Sequence, residues 1–369
     1  MWSHENVAGR RTSPGAPCPG RKGPASLLRV SINNVAVVGA GYMGGGIAQV
    51  LAIAGFKVAI TDADAETTRR QLDRIRQEAR AFEDQGLFDP GSTDLVEANV
   101  RAAGSLAEAV AEADFVEEAV SENPAVKGPV LAAIEAAARP DAIVGTNTST
   151  LPISGLAVNL QRADRFLGVH FSNPAPFIPG VELIAHADTD EAAVVASEEL
   201  VARTGKLSAR VSDKAGFVLN RLQYVLLKEA ASLVEEGVAT AEDVDIVVRT
   251  TFGYRLPFFG PFAIADMAGL DIYAAGFGTL AEHYGDRFAA PAVITELVES
   301  GHLGVKKDGG FVIPAGDSAP LVAYRNRAYA RLGQLLRELG PAPTVGGAAE
   351  TPEALENPQP LTTTEESNR

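Results

Sequence analysis

One histidine of the five in the chain stands among groups that can put it to use. His170 closes the apolar run Phe166-Leu167-Gly168-Val169 and leads into Phe171-Ser172-Asn173-Pro174. His4 lies in a polar N-terminal stretch, His283 and His302 in polar helix or loop sequence, and His186 just past a strand. An imidazole titrates near neutral pH and can take the proton of a reacting hydroxyl, given a carboxylate that holds the ring and stabilises its charged form. Glu182, in the next apolar run Val181-Glu182-Leu183-Ile184, can supply that carboxylate. Ser149 and Asn173 add a hydroxyl and an amide at strand ends. A lone histidine at a strand end is often only structural; the three neighbours favour a general base.

Gly39-Ala40-Gly41-Tyr42-Met43-Gly44 offers a second chemistry. It follows the buried-strand run Asn34-Val35-Ala36-Val37-Val38 and precedes a helical stretch from Ile47 to Ala54. Eighteen residues past Gly44, the run Lys57-Val58-Ala59-Ile60-Thr61 ends at Asp62. Glycines let the backbone approach a pyrophosphate, a helix N-terminus favours its charge, and the acid accepts from a ribose hydroxyl. The pattern predicts a dinucleotide site. Asp62 favours NAD, because the 2'-phosphate of NADP would meet its carboxylate; Arg69 and Arg70 are the groups that would reverse the choice.

Both sets of residues need a scaffold that brings strand ends together. After Asp62 a polar helix is expected from Ala65 to Gln85, then a strand in Asp114-Phe115-Val116-Glu117-Glu118-Ala119-Val120 that leads to Glu122. A helix from Val126 to Ala138, the strand Ala142 to Gly145, and the runs ending at His170 and Ile184 follow. Such alternation predicts an open parallel sheet with ligands at the carboxyl ends of its strands, where Glu122, Ser149 and His170 all fall. Lys206 to Ser212 reads as a strand or linker. From Lys214 to Glu236 the sequence is helical and apolar on nearly every side, so it is expected at the centre of a helical second domain and at a homodimer interface. The division expected is 31–212 for an α/β Rossmann-type dinucleotide-binding domain and 213–340 for an all-helical C-terminal domain.

The 369 residues are 46% hydrophobic and 21% charged, ordinary for a globular enzyme of two domains. A net charge of -15 argues against nucleic acid or an anionic membrane surface as partner. No apolar run approaches a membrane span. Cys18 alone excludes an intramolecular disulfide framework or a cysteine metal cluster and suits a reducing cytoplasm. No metal site is expected, since there is no H-E-x-x-H; nor is there a G-x-S-x-G elbow or a G-x-x-x-x-G-K-[ST] loop. Residues 1–30, with five basic residues and one acid among Pro, Gly and Ser, read as a disordered extension. Residues 341–369 read as a disordered acidic tail.

Thr146-Asn147-Thr148-Ser149, His170-Phe171-Ser172-Asn173-Pro174 with Glu182, and Gly216-Phe217-Val218-Leu219-Asn220-Arg221 together resemble the L-3-hydroxyacyl-CoA dehydrogenase family, over about residues 33 to 330. The resemblance implies hydride transfer between a 3-hydroxy carbon and NAD. It implies His170 as base, Glu182 as its partner, and Ser149, Asn173 and Asn220 around the reacting oxygens. Cofactor contacts carry over to Gly39, Gly41, Tyr42, Met43, Gly44, Asp62, Glu122, Lys127, Asn147 and Lys306. A solvated helix face is the alternative for Lys127, and a hydrogen bond within its helix the alternative for Asn220.

Departures from the family pattern bear on the substrate. Gln85-Gly86-Leu87 stands where relatives acting on coenzyme A thioesters often carry lysines, which leaves Arg76 and Arg80 as candidate partners for CoA phosphates. Pro179-Gly180-Val181-Glu182 and Tyr254-Arg255 are more similar to the lambda-crystallin and L-gulonate 3-dehydrogenase branch, with L-carnitine dehydrogenase nearby. Gly301-His302-Leu303-Gly304-Val305-Lys306-Lys307-Asp308-Gly309-Gly310-Phe311 is similar to the end of the hydroxybutyryl-CoA dehydrogenases. The leading expectation is oxidation of a short 3-hydroxyacyl-CoA in fatty-acid metabolism. A free hydroxy acid is the alternative substrate, and a non-catalytic NAD-binding structural protein the alternative of another class.

Overall fold

The computed structural model describes residues 31–342. The expected N-terminal extension, and the acidic tail beyond its first two residues, lie outside them. The chain divides into two compact units, with the break between Leu227 and Lys228, later than the expected boundary at Ser212.

In the first unit the elements run β1 (Asn34–Val38), α1 (Tyr42–Ile53), β2 (Lys57–Thr61), α2 (Ala65–Asp84), α3 (Ser92–Asn99), β3 (Val100–Ala102), α4 (Leu106–Val110) and β4 (Phe115–Glu118). They continue with α5 (Pro124–Ala137), β5 (Ile143–Thr146), α6 (Ile153–Ala157), β6 (Phe166–Phe171), β7 (Gly180–Ala185), α7 (Glu191–Arg203), β8 (Leu207–Ser212) and the start of α8 (Leu219–Glu235). The strands form one sheet in the order β3-β2-β1-β4-β5-β6-β7-β8. Strand order reverses between β1 and β4, which opens a crevice at their carboxyl ends, where the glycine run sits. Apolar layers on both faces explain why β4 to β6 are buried at every residue. One core layer holds Ile47 and Leu51 of α1 with Val37, Phe115 and Val169; the other holds Leu131, Ile134 and Val144.

The sheet departs from the expected all-parallel arrangement at one place. β7 runs antiparallel to β6, with His170 opposite Glu182 in the register. The turn between them is too short for a helical crossover, so the chain must reverse. α3, β3, α4 and α7 lay outside the expectation; β3, at the sheet edge, has one buried residue in three, too little pattern to read.

α8 starts at Leu219 rather than Lys214, because Gly216 and Phe217 both take positive φ, 74° and 48°. Nor is it the buried centre that its sequence suggested. No residue of α8 is buried, and Leu222, Tyr224, Val225 and Leu227 are each more than half exposed. The second unit carries the rest of α8 and then α9 (Ala241–Thr250), α10 (Pro261–Ala268), α11 (Leu270–Tyr284), α12 (Ala292–Glu299) and α13 (Ala319–Leu339). No helix among the described residues is long and apolar enough to cross a membrane.

Candidate active site

His170 sits next to last in β6, 4% exposed, with a different partner on each ring nitrogen. Its Nδ1 lies 2.9 Å from Glu182 Oε2, and its Nε2 lies 3.3 Å from Ser149 Oγ. The antiparallel register of β7 is what brings Glu182 alongside. The other carboxylate oxygen, Oε1, accepts from the amides of Val218 and Leu219 at 2.9 and 3.0 Å, so the first turn of α8 points its free N–H groups at the acid. Burial by itself would raise the Glu182 carboxyl. The hydrogen bonds from His170, Leu219 and Val218 outweigh it and hold the group below its ordinary range. Phe217, 2% exposed, sets its ring 6.0 Å from the imidazole and closes that side from water. This arrangement can accept a proton at Nε2 while an ionised carboxylate supports the charge that results.

Ser149 is held by its loop. Glu122 Oε1 accepts from Thr148 Oγ1 at 2.7 Å and from the amides of Ser149 and Thr150 at 2.8 and 3.1 Å. Burial pushes the Glu122 carboxyl up, but these bonds and the nearby Lys127 charge bring it below the ordinary value. Asn220, on α8, donates through Nδ2 to the carbonyl of Ser149 rather than within its own helix. Asn147 Oδ1 accepts from the Phe171 amide at 2.8 Å and ties the end of β5 to the end of β6. Asn173 is exposed in the turn three residues beyond His170.

At the crevice, the backbone of the glycine run is close to other backbone in two places. A Cβ on Gly39 would lie 2.7 Å from the Ala119 carbonyl oxygen, and one on Gly44 would overlap the Gly39 carbonyl. Gly39 also needs its φ of 92°. Gly41 caps α1 with no side-chain bond, so the first-turn amides, those of Tyr42 and Met43 included, are left for a ligand. Asp62 Oδ2 accepts from the Ala40 amide at 2.9 Å and fixes the acid beside the turn. A bare, uncapped helix N-terminus with a carboxylate next to it fits a dinucleotide with free ribose hydroxyls.

The two lysines assigned to the cofactor each have a carboxylate partner within the chain. Lys127 is fully buried, not on a solvated face: its Nζ donates to both Glu118 oxygens, at 2.9 and 3.1 Å, and stands 3.7 Å from Glu122. Lys306 belongs to the second unit, where it pairs with both carboxylate oxygens of Asp271 at 2.9 and 3.2 Å. Arg80 is paired with Glu97, and Arg76 donates to the Val100 carbonyl, so the arginines of α2 considered for CoA phosphates are engaged with α3 and β3.

Five supporting residues carry no motif. Lys206, 6% exposed, donates to the Ile178 carbonyl at 2.7 Å and anchors the turn that follows Asn173. Phe82 packs edge-on against Phe88 and Phe177, at 5.2 and 5.1 Å, and fastens the end of α2 to the same turn. In the second unit, fully buried Asp266 accepts the amides of Phe311, Val312 and Ile313 at 2.8 to 2.9 Å and shapes the Lys306 loop. A lone Asp in an apolar stretch, Ile264-Ala265-Asp266-Met267, was the signal available for it.

Comparison with known proteins places these features in a family. Residues 34–214 match the 3-hydroxyacyl-CoA dehydrogenase NAD binding domain, and residues 216–313 the 3-hydroxyacyl-CoA dehydrogenase C-terminal domain. The chain is 35% identical over 282 residues to a 3-hydroxybutyryl-CoA dehydrogenase of Bradyrhizobium diazoefficiens, covering 76% of this chain and 94% of that one. It is 33% identical over 307 residues to the 5-formyl-3-hydroxy-2-methylpyridine 4-carboxylate 5-dehydrogenase of Mesorhizobium japonicum, covering 83% and 98%. The crystal structure of a 3-hydroxyacyl-CoA dehydrogenase from Archaeoglobus fulgidus superposes with a TM-score of 0.69 at 31% identity, covering 84% of this chain and 99% of that one.

Proposed function

Because the chain belongs to the 3-hydroxyacyl-CoA dehydrogenase family, we propose that it oxidises the 3-hydroxyl of a short 3-hydroxyacyl-CoA, such as 3-hydroxybutyryl-CoA, to the 3-oxo compound, reversibly and with NAD. The observation that carries the reading is the relay Ser149 Oγ, His170 Nε2 and Nδ1, Glu182 Oε2, at 3.3 and 2.9 Å. NAD, when bound by the glycine run and Asp62, supplies the hydride acceptor.

The residues divide the remaining work. His170 takes the hydroxyl proton at Nε2, and returns it to the oxo group in the reverse direction. Glu182 keeps Nδ1 protonated and stabilises the imidazolium. Ser149 orients the reacting oxygen, with Asn220 and Glu122 holding Ser149 in place. Asn173 adds an amide donor toward the same oxygens. Lys127 steadies Glu122 and the carbonyl of Val120 from below. Lys306 is assigned to the cofactor by the family resemblance alone.

The working form is a homodimer that covers the exposed apolar residues of α8. We place it in the cytoplasm, in fatty-acid metabolism, with the single Cys18 in keeping with reducing conditions.

Initial rates with NAD on a panel of 3-hydroxyacyl-CoAs, L-gulonate and L-carnitine test the assignment. Turnover of 3-hydroxybutyryl-CoA with a weak KM is expected, since Arg80 and Arg76 of α2 are already engaged. Oxidation of a free hydroxy acid with no turnover of any CoA ester would overturn it.

A further inference from the structure

Arg74, on α2, reaches the back of the glycine turn. Its Nη2 donates to the carbonyls of Ala40 and Gly41, each at 3.0 Å. The rest of the guanidinium is held: Nε on Gln71 Oε1 at 2.8 Å, and Nη1 on Glu78 Oε1 and Oε2 at 2.7 and 2.9 Å. Five contacts thus meet the five N–H donors of the side chain. Gly45 makes room for it, because a Cβ there would lie 2.5 Å from Nη2.

We propose that Arg74 is a positioning residue for the cofactor: it clamps and polarises, from behind, the two peptide groups whose amides face the pyrophosphate. The inference rests on the NAD-binding reading above. The carbonyl of Ala40 and the amide of Gly41 belong to one rigid peptide, and the carbonyl of Gly41 and the amide of Tyr42 to the next. A cation donating to each carbonyl draws charge from its peptide and makes the far N–H a stronger donor. The same two bonds fix the orientation of the turn before any ligand arrives, which lowers the ordering cost of binding. Gly41 has no side-chain cap and α1 has no acid in its first turn, so nothing on α1 itself competes for those amides. Neither Arg74 nor Gly45 belongs to the glycine fingerprint proper. Each explains the other: the arginine needs the missing Cβ, and the middle one of three consecutive glycines is otherwise a cost inside a helix.

The experiment is NADH binding to the full-length protein, followed by fluorescence titration. Wild type is compared with Arg74→Met, Arg74→Lys, Gly45→Ala and the double variant Gly45→Ala/Arg74→Met. Arg74→Met keeps the bulk and removes the donors, and is expected to weaken NADH by ~10-fold, with KM for NAD rising in step while kcat at saturation holds. Arg74→Lys restores part of the affinity. Gly45→Ala improves helix propensity yet weakens NADH, because it displaces the guanidinium without deleting it. The double variant binds no worse than Arg74→Met, since both changes break one interaction. Affinity of Arg74→Met within about twofold of wild type would overturn the proposal, as would additive losses in the double variant. If Arg74→Met does not fold, Gly45→Ala decides: unchanged affinity overturns the proposal and weakened affinity sustains it. A wild type that binds no NADH overturns the cofactor reading itself, a result that is distinct from wild-type binding with indifferent variants.

Discussion

His170 meets its two partners through opposite nitrogens, and that division makes its role separable from binding. His170→Asn removes the proton acceptor while leaving the glycine turn untouched, so kcat should fall ~10²-fold or more. NADH affinity, measured by fluorescence, should stay near that of wild type; near-normal turnover would place the base elsewhere. Glu182→Gln should lower kcat in the same way, since it keeps the shape and removes the charge. On the proposed reading Asp62 carries the choice of cofactor, so kcat/KM should favour NAD over NADP; the reverse ratio would point to Arg69 or Arg70 binding the 2'-phosphate. His170, Glu182 and Ser149 could be singled out in the sequence because each is a reactive type in or just beyond an apolar run. Lys206, Phe217 and Arg74 were not, since their partners are carbonyls, a ring and a turn that only folding brings near.

At the scale of elements, β4 holds an oddity in the middle of the sheet. Glu117 is fully buried among Phe115, Gly145 and Val169, and neither carboxylate oxygen has a hydrogen-bond partner. Gly145 is needed opposite it, because a Cβ there would overlap Glu117 Oε2. Burial, reinforced by the Glu118 charge and only partly offset by Lys127, pushes its pKa well above the usual 4.5. Such a group binds its proton more tightly when folded. The stability it permits is present below the unfolded value near 4.5 and is lost as pH rises toward the folded value. Glu117→Gln should therefore gain on wild type as pH rises from 5 to 8 in urea melts. Glu117→Met, which removes the unpaired oxygens, should be more stable by ~1–3 kcal/mol at neutral pH. A pH-independent difference would mean that Glu117 keeps one charge state throughout. The strands other than β3 were legible from their runs, yet the reversal of β7 was not. An alternating or continuous apolar run has no direction, so the His170–Glu182 register could be read only from the fold.

For the whole molecule, the open question of the sequence was what an all-round apolar helix packs against. In the single chain α8 leaves Leu222, Tyr224, Val225 and Leu227 more than half exposed, and the homodimer proposed above would cover them. Sedimentation at micromolar concentration should give a dimer, and a stable monomer would contradict it. The residues of the base relay and the cofactor turn all lie before Leu227, whereas Lys306 and its Asp266 anchor lie after it. The central claim is that the relay serves a 3-hydroxyacyl-CoA, and the most direct measurement is NADH oxidation with acetoacetyl-CoA, wild type beside His170→Asn. Saturable oxidation by wild type, lost by ~10²-fold in the variant, is the expected result. No oxidation by wild type at millimolar acetoacetyl-CoA, with NADH bound, would contradict the claim.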